Sequence, residues 1–571
     1  MKIVNLILKF LLFIVKEILS FFIKLFLLLF VIVSIVGILS TKKIVRETTI
    51  AKNSWVEVDL NRKIYEKKTN LPSFFGERDL SFFTLLESLK AIGDDANVTG
   101  VIMRLDGMSL SYGQIEEISA LIREMKLKGK TVYAWTTGLN NGRYWLASTA
   151  DRIVMPPAAG ASVNLGGYYT EIGYFKGLLD KLGIAVQVIH VGEYKSYGET
   201  FIRDRMSPEY RRNLTEIYDK ILSAFLRDIA VARKQNRSTL EALLLKGELM
   251  ASSPAKLKAL GLIDETQYYS DLTAPMGDRL VNINKYIFAN NIGSRNPKKN
   301  KIAVITAEGD IINTRSKSRG YIYPAGLIAD LEKARKNADI KGIVLRINSP
   351  GGSALASDII AAKIREVRAQ KPVYISIGGM AASGGYYIAS AGSKIYASAG
   401  SVTGSIGVVS LIPNLSKLLN EKGAVAVETI KKGDYTDLYS VGTPFTAERM
   451  QKLQASAEAV YEDFLRAVAA GRNRNVEDIE KIAGGKVWLG VDGVKNGLVD
   501  EIGGLGECIA GLARDYDVRE YSVVEITTIP GIDSFLEDYV PMSRLFRLVE
   551  SADLTKEYYF TPLPYFPYDI R

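Results

Sequence analysis

The sequence predicts an α/β protein built from two copies of one domain in tandem. Two blocks about 240 residues apart share their order of strands and turns and several identical residues. Residues 98–106 (VTGVIMRLD) match residues 340–348 (IKGIVLRIN), and residues 261–265 match residues 497–501. Apolar, β-branched runs of this kind are typical of strands buried on both faces, and helical patterns alternate with them in both blocks. We therefore expect each half to form an α/β domain of its own.

The boundaries of the copies follow from where the shared pattern stops. We predict the first repeat over residues 50–289 and the second over residues 302–530. The polar, basic stretch 290–301 is predicted to be the linker between them. We predict a C-terminal tail over residues 531–571, in which the Tyr-, Phe- and Pro-rich stretch 558–568 indicates a flexible or partner-docking extension.

The residues ahead of the first repeat predict a membrane anchor. Residues 25–41 are 17 uncharged, mostly apolar residues, which is at the short end of what crosses a bilayer as one helix. Within residues 1–24 four lysines recur at intervals of seven, seven and eight, which places them on one stripe of an amphipathic helix lying in the headgroup region. A cleaved signal peptide is the alternative, but the charged stretch is long for one and no A-x-A site follows.

The basic residues around this span predict its orientation. The four lysines ahead of it favour a cytoplasmic N-terminus, although Lys42, Lys43 and Arg46 follow it directly. We therefore expect a single-pass protein whose repeats lie outside the cytoplasm. The net charge of +10 selects no partner by itself, because the basic residues are interspersed with 63 acidic ones.

Histidine and cysteine are almost absent from the chain, which contains only His190 and Cys508. An intrachain disulfide is therefore impossible, and zinc sites built from several Cys or His are excluded. A hydrolase with an activated nucleophile then needs lysine or a carboxylate as its base, unless His190 serves. A lone histidine at the end of an apolar run is more typical of a hydrogen-bonded structural residue, and Cys508 is typical of a small core residue.

The two copies differ at positions that bear on chemistry. In the second copy the segment 378–385 (GGMAASGG) contains Ser383, which aligns with Asn141 of the first copy. In the first copy Lys195 aligns with Thr436 of the second. The first copy therefore has the lysine without the serine, and the second has the serine without the lysine.

Glycine-rich turns in the second copy supply backbone amides. Small residues around Ser383 allow a strand-to-helix turn to expose its hydroxyl, and residues 348–353 (NSPGGS) form a second turn after the preceding strand. Two such turns can each contribute one N–H group to an oxyanion hole. An ordinary tight turn and a phosphate cradle are the alternatives, but neither segment has the G-x-x-x-x-G-K-[ST] pattern.

Lys195 is the candidate base for Ser383, and a lysine acts as a base only when it is neutral. Its pKa has to fall from about 10.4 to about 7.5–8, which takes about 3–4 kcal/mol of burial or of lost anionic neighbours. Tyr194, Tyr197 and the apolar run 184–189 are consistent with a partly desolvated position. An ordinary surface lysine is the alternative.

Four segments together resemble the signal peptide peptidase A (protease IV) family in its long, tandem-repeat form. They are residues 192–196 (GEYKS), 348–353 (NSPGGS), 379–385 (GMAASGG) and 400–407 (GSVTGSIG). The resemblance runs from the N-terminal anchor to about Gly511, and it implies a fold related to Clp protease and crotonase. It also implies one active site shared between the two copies rather than two. Whether the site forms within one chain or across two stays open.

The resemblance also implies a role for each matched residue. The expected roles are Ser383 as nucleophile, Lys195 as general base, Ser405 as the hydroxyl that orients the lysine amine, and Gly352 and Gly384 as backbone oxyanion donors.

The function implied is that of a membrane-anchored serine endopeptidase that degrades cleaved signal peptides and other unfolded apolar peptides through an acyl-enzyme. It needs no cofactor and binds no nucleic acid. The resemblance places the catalytic region on the periplasmic side of the inner (plasma) membrane and implies a homo-oligomer, namely a tetramer. Two other functions stay open: a crotonase-type acyl-CoA enzyme, which uses similar oxyanion turns but needs cytoplasmic CoA, and a non-catalytic membrane scaffold or chaperone.

Overall fold

The fold comes from a computed structural model that describes residues 49–67, 80–292, 298–316 and 320–527, with some residues between 16 and 31. The predicted tail lies outside the described residues, as do most of the predicted interfacial helix and anchor. Among the residues that are described, no helix combines the length and the apolar character needed to cross a bilayer.

The first domain has short strands and longer helices in alternation. Its strands are β1 (Ser54–Asp59), β2 (Val98–Arg104), β3 (Thr131–Trp135), β4 (Gly138–Asn140), β5 (Arg152–Met155), β6 (Ser162–Asn164), β7 (Ala185–Val191), β8 (Met250–Ser252), β9 (Glu265–Thr266) and β10 (Leu280–Asn282). Its helices are α1 (Phe82–Asp94), α2 (Tyr112–Leu127), α3 (Asn141–Ala147), α4 (Lys176–Leu182), α5 (Glu199–Ile202), α6 (Pro208–Ala232), α7 (Arg237–Leu245), α8 (Pro254–Ala259), α9 (Tyr269–Thr273) and α10 (Ile283–Ala289), with 3₁₀ turns at Ser196–Gly198 and Gly277–Arg279.

The main sheet of the first domain is parallel and has the strand order β10-β1-β2-β3-β5-β9. Val56 of β1 lies opposite Val101 of β2, which lies opposite Val132 of β3, and all three are buried. Their apolar sequences follow from burial on both faces. Helix α2 begins with a capping box in which the Ser111 hydroxyl accepts from the Gln114 N–H and the Gln114 side chain accepts from the Ser111 N–H.

The second domain repeats this organisation. Its strands are β11 (Asn300–Glu308), β12 (Asp310–Ile311), β13 (Tyr321–Ile322), β14 (Ile340–Ser349), β15 (Val373–Ala382), β16 (Lys394–Ala397), β17 (Val402–Gly404), β18 (Val408–Asn414), β19 (Val487–Leu489), β20 (Glu501–Ile502) and β21 (Tyr521–Ile526). Its helices are α11 (Pro324–Lys336), α12 (Ala354–Arg368), α13 (Gly384–Ser390), α14 (Ala447–Arg472), α15 (Val476–Glu480), α16 (Gly490–Asn496) and α17 (Leu505–Asp515), with a π-helical turn at Leu418–Lys422. The two α/β domains in tandem agree with the predicted fold class.

The sheet of the second domain brings the two glycine-rich segments together. Its order is β19-β17-β15-β14-β11-β21, with β16 beside β15 and β20 beside β16. β14 and β15 are parallel neighbours, and their register runs from Ile343 opposite Val373 to Ser349 opposite Ala381. Since parallel strands end at the same edge of a sheet, segments 348–353 and 378–385 meet there, as the sequence predicts.

One strand of the first domain pairs with the second domain. β7 is antiparallel to β18, from Val191 opposite Val408 to Ala185 opposite Asn414. The residues that follow β7 are therefore held against the second domain rather than against their own sheet.

The apolar core is continuous across the domain boundary. Val304, Val344 and Tyr374, from one face of the second sheet, belong to the same cluster as the core of the first domain, together with Leu505 and Cys508 of α17. Residues from the opposite face of that sheet form a separate cluster with α12 and α14. The alternation of side chains along each strand therefore gives one face of the second sheet to the partner domain. Cys508 is fully buried, which confirms the prediction that it is a core residue.

A buried ionic cluster also crosses the boundary. Arg346 of β14 contacts Glu66 at 3.0 Å and Glu117 of α2 at 2.7 Å, and the three side chains are 1%, 1% and 4% exposed. The Glu117 carboxylate also accepts from the Leu505 N–H at 2.7 Å. A buried arginine between two carboxylates fixes the relative position of the domains, because each charge loses its partner if they separate.

The cluster predicts a loss of stability when Arg346 is replaced, and the equivalent arginine of the first repeat supplies the control. Arg346→Met keeps most of the packing volume but leaves two buried carboxylates facing each other, and we expect it to lower the free energy of unfolding by about 3–5 kcal/mol. Arg104 is the repeat-equivalent residue and its side chain is 28% exposed beside Glu57, so Arg104→Met is expected to change stability by about 1 kcal/mol or less. Urea denaturation of both variants measures the difference, and equal losses would contradict the prediction.

Candidate active site

Ser383 stands at a sharp turn between β15, which ends at Ala382, and α13, which begins at Gly384. Its backbone φ of 54° lies in the left-handed region, where residues other than glycine are strained. Its N–H donates to the Gly404 carbonyl at 2.9 Å, which anchors the turn to the neighbouring β17. The result is a half-buried serine held at the carboxyl edge of the sheet.

A second turn, at Gly351 and Gly352, lies against the serine. Its φ angles of 106° and 145° require glycine, and Ile311 holds it by donating to the Gly351 carbonyl. A Cβ added at Gly351 would lie 2.7 Å from the Gly384 amide nitrogen, and one added at Gly384 would lie 3.3 Å from the Gly352 amide nitrogen. Among the described residues neither the Gly352 nor the Gly384 N–H donates a hydrogen bond. Two available amides therefore lie beside Ser383, as an oxyanion hole requires.

Lys195 reaches this site because of the cross-domain strand pair. β7 ends at Val191, and the chain turns at Gly192, whose φ is 110° and whose carbonyl accepts from the Lys195 N–H. Lys195 lies 188 residues before Ser383 in the same chain. The structure therefore brings the lysine of the first copy and the serine of the second together within one chain, the point that the sequence left open.

The lysine amine has three neighbours. Its Nζ lies 3.0 Å from Ser383 Oγ, 2.9 Å from the Ser405 carbonyl oxygen and 3.1 Å from Ser405 Oγ. Lys195 is 8% exposed and Ser405 is 2% exposed. A neutral amine has two N–H groups and one lone pair, so that donation of both N–H groups to Ser405 directs the lone pair at the Ser383 hydroxyl.

Burial alone lowers the pKa of Lys195 to about 7. Desolvation disfavours the charged form of an amine, and no carboxylate among the described residues restores it. Lys195 therefore differs from an ordinary surface lysine in both position and basicity. A large fraction of it is neutral near pH 7.

The loop that carries Lys195, residues 192–195, packs against Gly484 and Gly485, and the sequence did not predict this contact. The Gly484 carbonyl accepts the Tyr194 N–H at 2.9 Å, and a Cβ added at Gly485 would lie 2.6 Å from the backbone nitrogen of Lys195. These two glycines are almost 300 residues from the loop in sequence and carry no chemical groups of their own. The sequence shows only that two glycines are adjacent at this position, and it does not connect them to Lys195.

In the first copy the position equivalent to the serine is closed. Asn141 is the first residue of α3, and its side-chain amide donates to the Gly166 carbonyl at 3.0 Å and accepts from the Gly166 N–H at 3.3 Å. Thr436, the equivalent of Lys195, is exposed, and its hydroxyl donates to the Gly433 carbonyl. Neither residue is placed to take part in catalysis with the other.

The lone histidine lies outside this arrangement. His190 is exposed on β7 and pairs in register with Val409, while its Nδ1 lies 3.3 Å from the Gly192 carbonyl. Among the described residues no cluster of three or more His, Cys, Asp or Glu is arranged to hold a metal ion. Two cavities of about 690 and 670 Å³ lie between the domains against α2, and neither Lys195 nor Ser383 lines them.

Comparison with known proteins identifies a family for both domains. The pattern of Peptidase family S49 matches residues 124–284 and 365–519, that is, once in each domain, and the Clp protease pattern matches residues 312–400. The chain is 33% identical over 455 residues to Protease 4 of Salmonella typhi, which covers 77% of this chain and 73% of that protein. It is 32% identical over 479 residues to the chloroplastic Serine protease SPPA of Arabidopsis thaliana, which covers 79% of this chain and 69% of that protein.

A shorter relative matches part of the chain. A protein of Enterococcus faecium named as a putative signal peptide peptidase SppA is 31% identical over 255 residues, which covers 43% of this chain and 74% of that protein. The matches to both halves, at this identity and coverage, confirm the predicted resemblance: the chain belongs to peptidase family S49 and is a serine protease.

Proposed function

We propose that the protein is a membrane-anchored endopeptidase that degrades cleaved signal peptides with a Ser383/Lys195 dyad. The observation that carries the proposal is the 3.0 Å contact between Lys195 Nζ and Ser383 Oγ in a site that burial keeps weakly basic. A deprotonated lysine on a serine hydroxyl activates the nucleophile without a histidine.

The acylation step uses each residue in turn. Neutral Lys195 accepts the Ser383 proton as Oγ attacks the peptide carbonyl, and the Gly352 and Gly384 amides stabilise the oxyanion that forms. The resulting ammonium donates its three N–H groups to the two Ser405 oxygens and to the reacting centre, and then delivers a proton to the leaving amine. In deacylation the same amine activates water against the ester.

The substrate class is inferred from resemblance and from the predicted anchor. The Enterococcus relative is named as a putative signal peptide peptidase. A single span at residues 25–41 would keep the enzyme beside apolar fragments released in the bilayer. We infer that the N-terminus is cytoplasmic and that the dyad lies on the periplasmic side of the inner membrane; a reporter fused after Gly511 that signals from the cytoplasm would overturn this placement.

The two other functions account less well for the site. A crotonase-type acyl-CoA enzyme would use the glycine turns but has no need of a neutral lysine on a serine hydroxyl. A non-catalytic scaffold has no use for a buried lysine that contacts no carboxylate among the described residues, since this burial destabilises the fold.

Assembly into a homo-oligomer, proposed as a tetramer from resemblance, has support in the repeat. Residues 166–172 and 426–432 are the repeat equivalents of β18 and β7, yet neither segment is in a sheet. Tyr169 and Ile430, one in each segment, are 82% and 93% exposed. If these segments pair between chains as β7 and β18 pair within one, each copy binds the next head to tail, and such contacts form a closed ring when the rotation between neighbouring copies closes.

The assembly proposal is tested by measuring the mass of the detergent-solubilised protein by light scattering. Ile430→Asp is expected to shift the wild-type oligomer toward the monomer, because the charge would be buried at the contact. Leu127→Asp changes an equally exposed residue at the end of α2 and should leave the mass unchanged. A monomeric wild-type protein, or an Ile430→Asp variant of unchanged mass, would refute this interface.

Loss of either dyad residue is the direct test of the mechanism. Ser383→Ala and Lys195→Met are each expected to lower kcat/KM on a synthetic signal peptide by about 10³-fold or more, because the nucleophile and its base act as a unit. A serine-reactive phosphonate should label Ser383 in the wild type. The His190→Gln variant is the control and should keep wild-type activity; labelling at another residue, or cleavage that survives Lys195→Met, would contradict the dyad.

The depressed pKa of Lys195 gives a pH prediction. The base must be neutral, so that kcat/KM is expected to rise with pH, reach half its maximum near the lysine pKa of about 7 and level off above it. A lysine of ordinary basicity would place this midpoint above pH 10. The pH profile of the wild type, with the rate of phosphonate labelling as a second readout, distinguishes the two cases.

A further inference from the structure

The turn that packs against the loop carrying Lys195 also binds the backbone N–H of Ser405, the other serine of the site. The Gly484 carbonyl accepts the Tyr194 N–H at 2.9 Å, while the Lys486 carbonyl accepts the Ser405 N–H at 2.8 Å. Ser405 in turn has two contacts with the lysine amine. Residues 484–487, which we call the seat turn, therefore determine the position of both the Lys195 backbone and the groups that orient its amine.

The seat turn is held from the first domain by α6. Asn213 is 3% exposed, and its side chain donates to the Val487 carbonyl and accepts from the Val487 N–H, both at 3.0 Å. The Val487 N–H and carbonyl both face away from β17, and the Asn213 side chain bonds them as a neighbouring strand would. The same domain that carries Lys195 thus also holds its seat in the other domain.

A second contact from α6 involves charge. Glu216 lies one turn of the helix after Asn213, and its carboxylate is 2.9 Å from Lys486 Nζ. The Lys486 ammonium lies 5.3 Å from the centre of the Tyr194 ring and 4.5 Å from that of the Trp488 ring. The Arg212 guanidinium lies 5.6 Å from the centre of the same Tyr194 ring. Tyr194 is the residue directly before the base, so this cation packing restrains the loop at its reactive end.

We propose that Asn213, Glu216 and Lys486 form a positioning clamp that holds Lys195 on Ser383 and keeps its amine away from water. The clamp rests on the dyad mechanism proposed above, and its members act through the loop and the seat turn without contacting the reacting atoms. It assigns to α6 a role in catalysis that neither the dyad nor the oxyanion turns include.

The charged groups around the loop do not act on the pKa of Lys195 directly, so the clamp acts by positioning the lysine. Glu193 lies on the loop itself, Arg212 and Glu216 face it from α6, Lys486 faces it from the seat turn, and α14 contributes the neutral Tyr461, whose hydroxyl accepts the Gly484 N–H. None of these charges contributes to the low pKa of Lys195, which comes from burial. Loosening the clamp should therefore act by admitting water, which restores the lysine's basicity.

The decisive variant is Lys486→Met in the full-length protein, assayed on a signal peptide. We expect kcat to fall about tenfold with KM within about twofold, since the loss is of alignment rather than of substrate binding. The midpoint of the pH profile should move upward by about half a unit to one unit as water reaches the amine. Lys486→Arg keeps the charge and the stacking and should restore most of the activity and the wild-type midpoint.

Two further variants complete the design. Lys481→Met removes a lysine from the same region whose side chain is 72% exposed, and it should match the wild type. Glu216→Gln should move the pH midpoint in the same direction as Lys486→Met, and the double variant should lose less than the two single effects combined, because the two residues act through one contact. If Lys486→Met does not fold by circular dichroism, the midpoint of Glu216→Gln decides.

The outcomes separate the clamp from the mechanism. A wild type without Ser383-dependent cleavage would overturn the dyad and the clamp with it. A wild type that depends on Ser383 and Lys195, with Lys486→Met and Glu216→Gln both unchanged in kcat and in pH midpoint, would overturn the clamp alone. A lower melting temperature with an unchanged pH midpoint would also overturn it, since that result indicates a purely structural contact.

Discussion

Removal of the Lys195 amine from water is the constraint on which the rest of the structure depends. A lysine with its ordinary pKa is protonated near pH 7 and leaves Ser383 without a base, and within the described part of the chain the low pKa comes from burial. The lysine belongs to one domain and the surfaces that bury it belong to the other. The position of the domains relative to each other therefore sets the basicity of the site, and the β7–β18 pair, the shared core and the Arg346 cluster all act on that position.

This arrangement opposes stability. A fall in pKa from 10.5 to about 7 corresponds to about 4–5 kcal/mol of unfavourable interaction for the charged form. Between these two pH values the unfolded chain holds a proton that the folded chain has lost, so this group makes the folded state more stable as pH rises and imposes its full penalty below about pH 7. Burial of apolar side chains across the boundary, together with contacts such as Asn213 with Val487, has to offset that penalty.

Much of this could be predicted from the sequence, since the signals were local. The repeat, the buried strands, the glycine turns and the unequal positions of Ser383 and Lys195 are all readable from residue patterns within single segments. What could not be read was the path of β7 into the other domain, because a short apolar strand does not reveal its partner. The Gly484–Gly485 seat and the clamp on α6 depend on contacts between residues far apart in sequence, and no local motif marks these residues.

The comparison between the two copies indicates which strained features belong to the chemistry. Ser383 and Ser405 both have positive φ angles, of 54° and 52°, and both contact the lysine amine. Asn141, the equivalent of Ser383, has instead become the first residue of a regular helix, and its side chain satisfies both backbone groups of Gly166. The same fold therefore closes this position without strain when no nucleophile is needed there. Because the unstrained solution is available within the same chain, the strain at Ser383 is attributable to exposing its hydroxyl and the adjacent Gly384 amide, not to the demands of the strand-to-helix turn.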